Sequence, residues 1–523
     1  MEIELLDTTL RDGAQGDGIE HSVGDKCKIA LALERLGVPL IEGGNPYSNP
    51  QDAAFFEEVK KTSLLRSATL VPFGSTCRPG AKPGEDPNLL ALLHTEQPVI
   101  SLFGKTNLLH VREVLRATPE ENLRMIEESV AFLVASGRRV LFDAEHFFDG
   151  CVVDKAYAFE ALRAAKRGGA HTLVLCDTNG GTLPDDMRAR FCEVQAAFAD
   201  VPLGIHCHDD MGLAVAGTIS CVQAGAVHAQ VTASGVGERC GNANLSTVIA
   251  NLQLKLGYQV IPMENLPLLT ETAQVIMEIM NLRPNPRAPY VGYSAFAHKG
   301  GMHIDGVQKN AATFEHVTPE SVGNRRRFVL SGQAGRSGVY VRLKRLLPEL
   351  SRDDPRVKRV TDRLKRQEFR GYTYESADGS FDLMALDTLG MRKSFFSVLD
   401  FHVISSNHGD AENAQAYIKI AVEGREEINA AEGDGPLNAL DIALRKALLV
   451  FYPKLSQMQL RDFKVRVLNG GGTASVVRVL IESSDGKHVW TTVGVSSNII
   501  RACFKALCDS VEYFLHFLQD SGG

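Results

Sequence analysis

The sequence lacks the segments that would carry a chain into or across a membrane. No run of about 18 or more uncharged apolar residues occurs. The first residues, MEIELLDTTLRDG, have neither the basic region nor the apolar run of a signal peptide. The ten cysteines are scattered without a C-x-x-C pair, which fits reduced thiols rather than a disulfide framework. Together these absences predict a cytoplasmic protein without a membrane partner.

The sequence also lacks an excess of positive charge. Its formal net charge is −7, and the segment richest in Lys and Arg, residues 342–370, intersperses both signs and has no interleaved aromatic residues, Phe369 near its end being the single one. A nucleic-acid partner is therefore not expected. What is present is an ordinary globular composition, with 44% hydrophobic residues in a chain of 523. A chain of this length is expected to fold into two or three domains.

Eight short apolar runs, each ending in polar or Gly-rich residues, dominate the first half of the chain. Amphipathic stretches such as residues 121–137 separate them. Apolar runs separated by amphipathic stretches are typical of parallel strands that are buried on both faces. Eight such runs in succession are typical of a TIM (β/α)8 barrel. A doubly wound sheet is the alternative, but eight polar run ends favour a barrel, which builds its active site from many strands. The runs cover residues 3–12, 38–46, 67–75, 98–105, 139–149, 172–180, 202–210 and 229–238.

The rest of the chain contains two further regions. Residues 260–340 carry helical patterns and the stretch YSAFAHKGGMHIDG. From about residue 375 the sequence reads as β-rich, and strands, a Gly-containing turn and an amphipathic helix repeat at 416–448 and 476–507. This part has few catalytic residue types, so we expect it to serve binding or assembly. The predicted domains are a catalytic barrel at 1–260, a helical subdomain and linker at 261–372, and an α+β domain at 373–523.

The strongest local signal is His-Cys-His at residues 206–208, near the end of the seventh run. Alternation along a strand sends His206 and His208 to the same face, so both imidazoles can converge on one ion. Hydrogen-bonded core histidines are the alternative. Asp12 would complete a set of two histidines and a carboxylate that leaves positions open for substrate, and Asn242 could join it. The predicted cofactor is a divalent cation, Zn²⁺, Mn²⁺ or Mg²⁺.

Further polar residues follow the first, fifth and sixth runs. Arg11 either orients Asp12 through a salt bridge or stabilises an oxyanion on a substrate. Asp143 and Glu145 in LFDAEHFFDG alternate onto one side, where they could hold water, act as acid and base, or only form salt bridges with loops. Thr178 in CDTNGG could bind a substrate carboxylate or cap the following turn.

Four ordered motifs resemble those of the 2-isopropylmalate, homocitrate and citramalate synthase family. They are DTTLRDG, GIHCHDD, SGVGERCGNANL and GGMHIDG. FDAEHFFDG and CDTNGGTLP look most like the citramalate synthase branch. VRVLNGGGTASVVRVLIESSDG is similar to the family's C-terminal regulatory domain, so the resemblance covers nearly the whole chain.

The resemblance implies a Claisen-type condensation of acetyl-CoA with a short 2-oxo acid. With pyruvate the product would be (R)-citramalate, on the route to isoleucine. A homodimer, a subdomain histidine that serves the partner subunit's barrel, and feedback inhibition by an amino acid are also implied. Together with the strand-end residues, the resemblance gives the metal ligands Asp12, His206, His208 and Asn242, the catalytic residues Arg11, Glu145 and His303, and the substrate-binding residues Thr178 and Asp143.

Two departures from the branch concern the identity of the oxo acid. Asn107 and Leu108 stand where a Trp-Asp pair is expected, and Asp209 stands where an Asn is expected after the second histidine. Other functions also remain open: a synthase acting on another oxo acid, a lyase or aldolase of the same barrel family, and a metal-binding regulatory protein without activity. The C-terminal domain argues against a lyase. The complete set of Arg11, Asp12 and the two histidines argues against an inactive protein.

Overall fold

The computed structural model describes residues 1–331, 335–408, 411–468 and 475–518. The chain forms two compact units. The first comprises Met1–Phe296 and His316–Arg326, and the second comprises Ala297–Glu315 and Arg327–Gly523. Within the described residues, no helix is both long and apolar enough to cross a membrane. All ten cysteines lie in these residues, and all are free thiols.

The first unit is built around eight parallel strands that follow one another in sequence order. Each strand pairs with the next, and the first pairs with the last, so the sheet closes into a barrel. The TIM-barrel prediction is confirmed, and the doubly wound alternative is wrong. The strands are β1 (Glu4–Asp7), β2 (Leu40–Gly44), β3 (Thr69–Ser75), β4 (Val99–Lys105), β5 (Arg139–Glu145), β6 (Thr172–Asp177), β7 (Leu203–Cys207) and β8 (His228–Val231).

Helices between the strands and after β8 complete this unit. They are α1 (Val23–Leu36), α2 (Pro50–Thr62), α3 (Pro87–His94), α4 (Leu108–His110), α5 (Pro119–Ala135), α6 (Phe147–Gly168), α7 (Pro184–Ala197), α8 (Ala214–Gln223), α9 (Leu245–Ala250) and α10 (Leu269–Ile279). Local sequence sets their limits. Ser22 and Asp25 form a capping box at the start of α1. Gly37 ends α1 with φ +97°, and a Cβ there would lie 2.5 Å from Pro262 Cδ, so the position requires glycine.

The barrel interior changes from apolar to polar along the strands. One end is filled by a cluster of five buried apolar side chains, Leu6, Leu40, Val71, Val99 and Leu141. Two residues further along four of these strands, on the same face, stand Glu42, Phe73, Ser101 and Asp143. The interior of the barrel is therefore more polar at the carboxyl ends of the strands, next to the apolar layer of five side chains.

The second unit contains two three-stranded antiparallel sheets, each followed by a helix. The predicted internal repeat is thus present, and the C-terminal part is α+β as predicted. Both helices pack with β12 and β15 in one hydrophobic cluster that includes Ile418 and Ile481. The NGGGTA part of the regulatory-domain motif, residues 469–474, lies outside the described residues. The elements are β11 (Ser397–His408), β12 (Ala411–Val422), β13 (Arg425–Gly433), α15 (Pro436–Leu449), β14 (Gln459–Val467), β15 (Val477–Ser484), β16 (Val489–Ser496) and α16 (Ile499–Phe517).

The remaining elements of this unit are mostly helical. They are β9 (Ala297–His298), α11 (Gly301–Lys309), β10 (Arg327–Phe328), α12 (Gly335–Leu346), α13 (Pro355–Phe369) and α14 (Asp378–Leu389). The prediction of β-rich structure from about residue 375 was wrong at its start, because α14 comes first. Eight successive residues of α14 are buried, so its sequence shows no amphipathic period. Leu364 of α13 and Phe381 of α14 share a hydrophobic cluster, which crosses the predicted boundary at 372/373. The two boundaries between the three predicted domains stay a prediction.

Candidate active site

The carboxyl ends of the strands bring together two imidazoles and a carboxylate. His206 lies on β7 and His208 directly follows it. Asp12 lies in the turn after β1. This strand pairs with β8, and that pairing closes the barrel. One ligand atom from each residue lies within 4.8 Å of the others, and all three residues are buried. Three of the four predicted metal ligands therefore form one cluster.

Asp12 Oδ2 is the shared atom of this cluster. It lies 3.3 Å from His206 Nε2 and 3.6 Å from His208 Nε2. Ligands bound at about 2.0–2.2 Å from one ion are separated by distances of this size. Asn242 Nδ2 donates to Asp12 Oδ2 at 2.9 Å, whereas Asn242 Oδ1 is buried with no hydrogen-bond partner among the described residues. Rotating this amide by 180° would turn its oxygen toward the cluster, so all four residues fit a divalent cation.

Hydrogen bonds behind His206 select its tautomer. Its Nδ1 lies 2.8 Å from Gln230 Oε1, which can only accept, so Nδ1 carries the proton and Nε2 is left with a lone pair. Gln230 Nε2 in turn donates to Asp143 Oδ1 at 2.8 Å, and Ser101 Oγ donates to Asp143 Oδ2 at 3.0 Å. Such partners orient metal-binding histidines in proteins.

Burial and charge set the protonation of the cluster. Burial by itself would raise the pKa of Asp12, but Arg11 and the two histidines hold it well below its usual range. Burial and the neighbouring His206 lower the pKa of His208 to about 4. The His208 imidazole is therefore neutral at neutral pH, which metal binding requires.

Arg11 lies between two carboxylates and an aromatic ring. Its Nε donates to Glu42 Oε2 at 2.6 Å, and its Nη1 lies 3.5 Å from Asp12 Oδ2. The guanidinium carbon lies 3.9 Å from the centre of the Phe73 ring. Burial lowers the pKa of Arg11, but Glu42 and Asp12 more than offset this and raise it above its ordinary value. Arg11 is thus a fixed cation that makes the predicted salt bridge with Asp12.

A cavity of about 220 Å³ lies against the cluster, and we call it the metal cavity. Arg11, Asp143, Glu145 and Thr178 all line it, together with the three clustered ligands. Glu145 Oε2 also pairs with Lys105 Nζ at 2.5 Å, and Thr178 Oγ1 accepts from the His146 backbone N–H at 2.9 Å. Both the structural and the substrate-binding interpretations of these two residues are therefore compatible with their positions.

Other predicted residues are not among those that line the metal cavity. His303 belongs to α11 of the second unit, where its exposed ring stacks on Phe314 with centroids 4.2 Å apart. Its catalytic role stays a prediction. None of the residues that depart from the branch pattern lines the metal cavity. Asn107 Oδ1 caps the N–H of Leu109, and Asp209 Oδ1 accepts from the N–H of Ala214. Leu108 is buried.

A second cluster of two histidines and an aspartate was not expected from the sequence. His110, His146 and Asp149 also place one ligand atom each within 4.8 Å of the others. The two imidazole rings stack with centroids 3.8 Å apart and planes 29° apart. Asp149 Oδ2 lies 3.2 Å from His146 Nδ1 and accepts from Asn107 Nδ2 at 2.8 Å. The FDAEHFFDG motif contains two of its three members.

Sequence reasoning also missed the residues that hold the first cluster in place. Glu42 and Gln230 are polar residues inside apolar runs, and Phe73 is one apolar residue among others in its run. A lone charge in such a run, as in VPLIEGGNP, was the available signal for Glu42, because a buried strand does not carry an unpaired charge.

Comparisons with known proteins agree with this geometry. Residues 2–276 match the HMGL-like family, 290–371 match the homocitrate synthase post-HMGL domain-like family, and 375–515 match the LeuA allosteric (dimerisation) domain. The (R)-citramalate synthase of Aquifex aeolicus is 47% identical over 525 residues, which cover 100% of this chain and 99% of that protein. The chain belongs to the (R)-citramalate synthase family.

Two more relatives of the same name match at full length. The (R)-citramalate synthase of Synechocystis sp. is 46% identical over 98% of this chain and 96% of its own. That of Geobacter sulfurreducens is 45% identical over 100% and 99%. The resemblance seen in the motifs, closest to the citramalate synthase branch, is confirmed. So is the prediction of an acyl-transferring enzyme. The site residues of this family member remain predictions that the geometry supports.

Proposed function

We propose that the protein condenses acetyl-CoA, pyruvate and water to (R)-citramalate and CoA. The observation that carries the proposal is the convergence of Arg11 with Asp12, His206 and His208 on one small cavity. Full-length relatives named (R)-citramalate synthase support the same reaction. A cytoplasmic location is part of this proposal.

Asp12, His206 and His208 would hold a divalent cation, with Asn242 as a fourth ligand. Two imidazole nitrogens and a carboxylate favour Zn²⁺ or Mn²⁺ over Mg²⁺, which prefers oxygen ligands. When bound, such an ion acts as a Lewis acid toward a carbonyl oxygen. Gln230 would orient His206 from behind.

Arg11 would stabilise the negative charge that develops on the keto oxygen of pyruvate as the new C–C bond forms. Glu42 and Phe73 already hold the guanidinium group in place, so little reorganisation is needed when the charge appears. Because the pKa of Arg11 is raised by its carboxylate neighbours, the cation persists throughout the pH range of the reaction.

Glu145 is the proposed acceptor of a methyl proton from acetyl-CoA. Its carboxylate lines the metal cavity and is anchored by Lys105. The resulting enolate attacks the keto carbon, and water then cleaves the thioester to release CoA. Thr178 and Asp143 would contact the oxo acid. Burial raises the pKa of Asp143, and Gln230 and Ser101 hold its carboxyl group in place at the cavity wall. His303 is proposed to act in the partner subunit's barrel.

The size and walls of the metal cavity favour a short oxo acid. Phe73 and Phe103 form one wall, with ring centroids 5.0 Å apart and planes 15° apart. The two side chains add apolar surface that suits a methyl group, and the rings themselves offer no partner for a second carboxylate. Pyruvate fits this chemistry better than a dicarboxylic oxo acid does.

Homodimerisation and feedback inhibition by isoleucine are part of the proposal. The match of residues 375–515 to an allosteric (dimerisation) domain supports both. A cavity of about 650 Å³ on the sheet β11–β12–β13 is lined by Lys446, Glu432 and Tyr417. Charges of both signs beside an aromatic ring suit the zwitterion and the side chain of an amino acid.

The test is a thiol-release assay with acetyl-CoA and a panel of pyruvate, 2-oxoisovalerate and 2-oxoglutarate, before and after treatment with a chelator. We expect pyruvate to be preferred, the product to be (R)-citramalate, and activity to return with added Zn²⁺ or Mn²⁺. Preference for another oxo acid, cleavage of citramalate without synthesis, or no turnover would each refute the proposal. Isoleucine, leucine and lysine are then added to the full-length enzyme. If none of them lowers the rate, the regulatory part fails.

A further inference from the structure

His146 connects β5 to α6, and its backbone is strained. β5 ends at Glu145 and α6 begins at Phe147. His146 lies between them in the left-handed region, with φ +60° and ψ +38°. Residues with a Cβ atom adopt this region at a cost, and such strain persists where the surrounding contacts impose it. The contacts of His146 therefore indicate what the strain serves.

The peptide group between Glu145 and His146 is hydrogen-bonded on both sides. Its carbonyl oxygen accepts from the N–H and from the hydroxyl of Thr106, at 3.1 and 2.7 Å. Its N–H donates to Thr178 Oγ1 at 2.9 Å. Because this bond uses Thr178 Oγ1 as an acceptor, the hydroxyl hydrogen is left to be donated. Thr178 lines the metal cavity, so its hydroxyl can donate to an oxygen atom of a molecule bound there.

Contacts of the buried His146 ring hold the strained conformation in place. The ring stacks on His110 with centroids 3.8 Å apart, and its Nδ1 lies 3.2 Å from Asp149 Oδ2. That oxygen also accepts from Asn107 Nδ2 at 2.8 Å and from Asn179 Nδ2 at 3.3 Å. Burial raises the pKa of Asp149, but the hydrogen bonds from His146 and Asn107 more than offset this, so the carboxylate is ionised at neutral pH. One carboxylate thus connects the His146 ring to the segments that follow β4 and β6.

We propose that His146 is a positioning residue for the oxo acid. Its ring is not among the side chains that line the metal cavity, so it acts through its backbone. Contacts of the ring with His110 and Asp149 keep the left-handed turn, and the turn directs the His146 N–H to Thr178. The Thr178 hydroxyl is thereby oriented to donate to the carboxylate of the oxo acid. The inference rests on the proposed use of an oxo acid at this site.

The first test compares His146→Ala with His146→Gly. Both substitutions remove the ring and differ by one methyl group, but only glycine adopts the left-handed region without strain. We expect His146→Ala to raise the KM for pyruvate about fivefold, because the strained turn relaxes without the ring contacts. His146→Gly should restore most of this loss. Equal losses in the two variants would overturn the inference, since pyruvate would then require the ring itself.

The kinetic constants separate positioning from a general loss of structure. A hydrogen bond to the pyruvate carboxylate is the same in the ground and transition states, so kcat should change less than about twofold in His146→Ala. The KM for acetyl-CoA should be unchanged. A fall in kcat together with a rise in both KM values would show a structural role only and would overturn the inference. His94→Ala, at the exposed end of α3, is the matched control and should change none of these constants.

A double-mutant cycle shows whether His146 acts through Thr178. Thr178→Val keeps the shape of the side chain and removes the hydroxyl, so we expect the KM for pyruvate to rise about tenfold. In that background His146→Ala should add less than about twofold, whereas independent effects would multiply to about fiftyfold. A multiplied loss would overturn the inference.

Pyruvate binding without turnover separates this inference from the proposed function. Titration of the full-length, Zn²⁺-loaded protein with pyruvate, followed by NMR of the ligand, gives a dissociation constant for each variant. The same cycle is then applied to these constants. A non-additive loss of pyruvate affinity in a protein that shows no synthase activity would refute only the proposed function. Additive losses, or an unchanged affinity in His146→Ala, would refute only the inference, even if the enzyme makes citramalate.

Discussion

Two clusters of the same composition, two histidines and an aspartate, lie at the carboxyl ends of the barrel strands. In the Asp12 cluster, the Nε2 atoms of His206 and His208 both face one carboxylate oxygen, at 3.3 and 3.6 Å. In the Asp149 cluster, the rings of His110 and His146 stack at 3.8 Å. The ring lone pairs lie in two planes that are 29° apart and stacked face to face, so we expect them to converge on one ion less well than those of the Asp12 cluster.

The hydrogen-bond partners of the two clusters also differ. Gln230 accepts from His206 Nδ1 and leaves Nε2 to face Asp12, whereas in the second cluster His146 Nδ1 itself lies 3.2 Å from Asp149 Oδ2, which also accepts from Asn107. Residue type and proximity are thus insufficient for a metal site. The direction of the lone pairs, fixed by neighbours, makes the difference.

Substituting one residue in each cluster is expected to give the largest difference in metal content and kcat. We expect Asp12→Asn to lose the bound divalent ion and to lower kcat at least about a thousandfold, because an ion supplies several kcal/mol of charge stabilisation. His110→Ala should retain one ion per chain. Metal content by mass spectrometry and kcat by thiol release measure both effects. An ion kept by Asp12→Asn, or lost by His110→Ala, would reverse the assignment.

The role of the cation beside the first cluster is the next contrast. Arg11→Lys keeps the charge but loses the planar fork that reaches Glu42 and Asp12, so we expect kcat to fall about a hundredfold. The KM for pyruvate should change less than about threefold, since a point charge still attracts a carboxylate. Arg35→Lys, at an exposed cation of α1 that pairs with Glu271, is the control and should change neither constant. A pure rise in KM for Arg11→Lys would contradict the oxyanion role.

The residues that hydrogen-bond to the two clusters allow a finer comparison of them. Gln230→Leu removes the acceptor for His206 at similar volume and should weaken divalent-ion affinity about 10- to 100-fold. Asn107→Leu removes the donor to Asp149 and should leave ion affinity unchanged. Competition with a fluorescent chelator gives both affinities. Equal effects of the two substitutions would mean that the clusters are not distinct.

The sequence was sufficient to predict the barrel and the convergence of Asp12, His206 and His208, but not the residues that support them. Buried parallel strands read as apolar runs, so all eight were visible, and the H-x-H spacing placed His206 and His208 on one face. Gln230 and Glu42 could not be recognised as partners from the sequence, because they lie on strands next to those of His206 and Arg11 and only strand pairing brings them together. Helix α14 was missed because full burial removed its periodicity.

A stability measurement extends the comparison to Asp7, a buried carboxylate that forms no ion pair among the described residues. Asp12 and Asp7 are both buried, but the hydrogen bonds of Asp7 come from Thr9 and the Ala233 backbone, and burial raises its pKa to about 7. Folding therefore favours protonated Asp7, so its contribution to stability is full below the unfolded pKa and is lost as the pH rises toward 7. Asp7→Asn should remove this loss.

The expected signature is a pH-dependent difference between Asp7→Asn and the parent protein. The free energy of unfolding of the variant, relative to the parent, should rise by about 2 kcal/mol between pH 5 and pH 8. Urea titration followed by circular dichroism measures it. The single Trp lies in the second unit and would not report on the barrel. A difference that stays constant with pH would show that Asp7 is ionised in the folded state.

The Asp12–Asn242 contact has a further consequence for assembly of the barrel. It joins positions 230 residues apart, one after β1 and the other after β8. A ribosome-bound chain that has not yet released residue 242 cannot present the complete set of ligands, and neither can an unfolded chain. Divalent ions would therefore bind only after the circle of strands has closed, and binding would shift the folding equilibrium toward the closed form by mass action. Protein prepared without metal is expected to open most easily where the first and last strands meet.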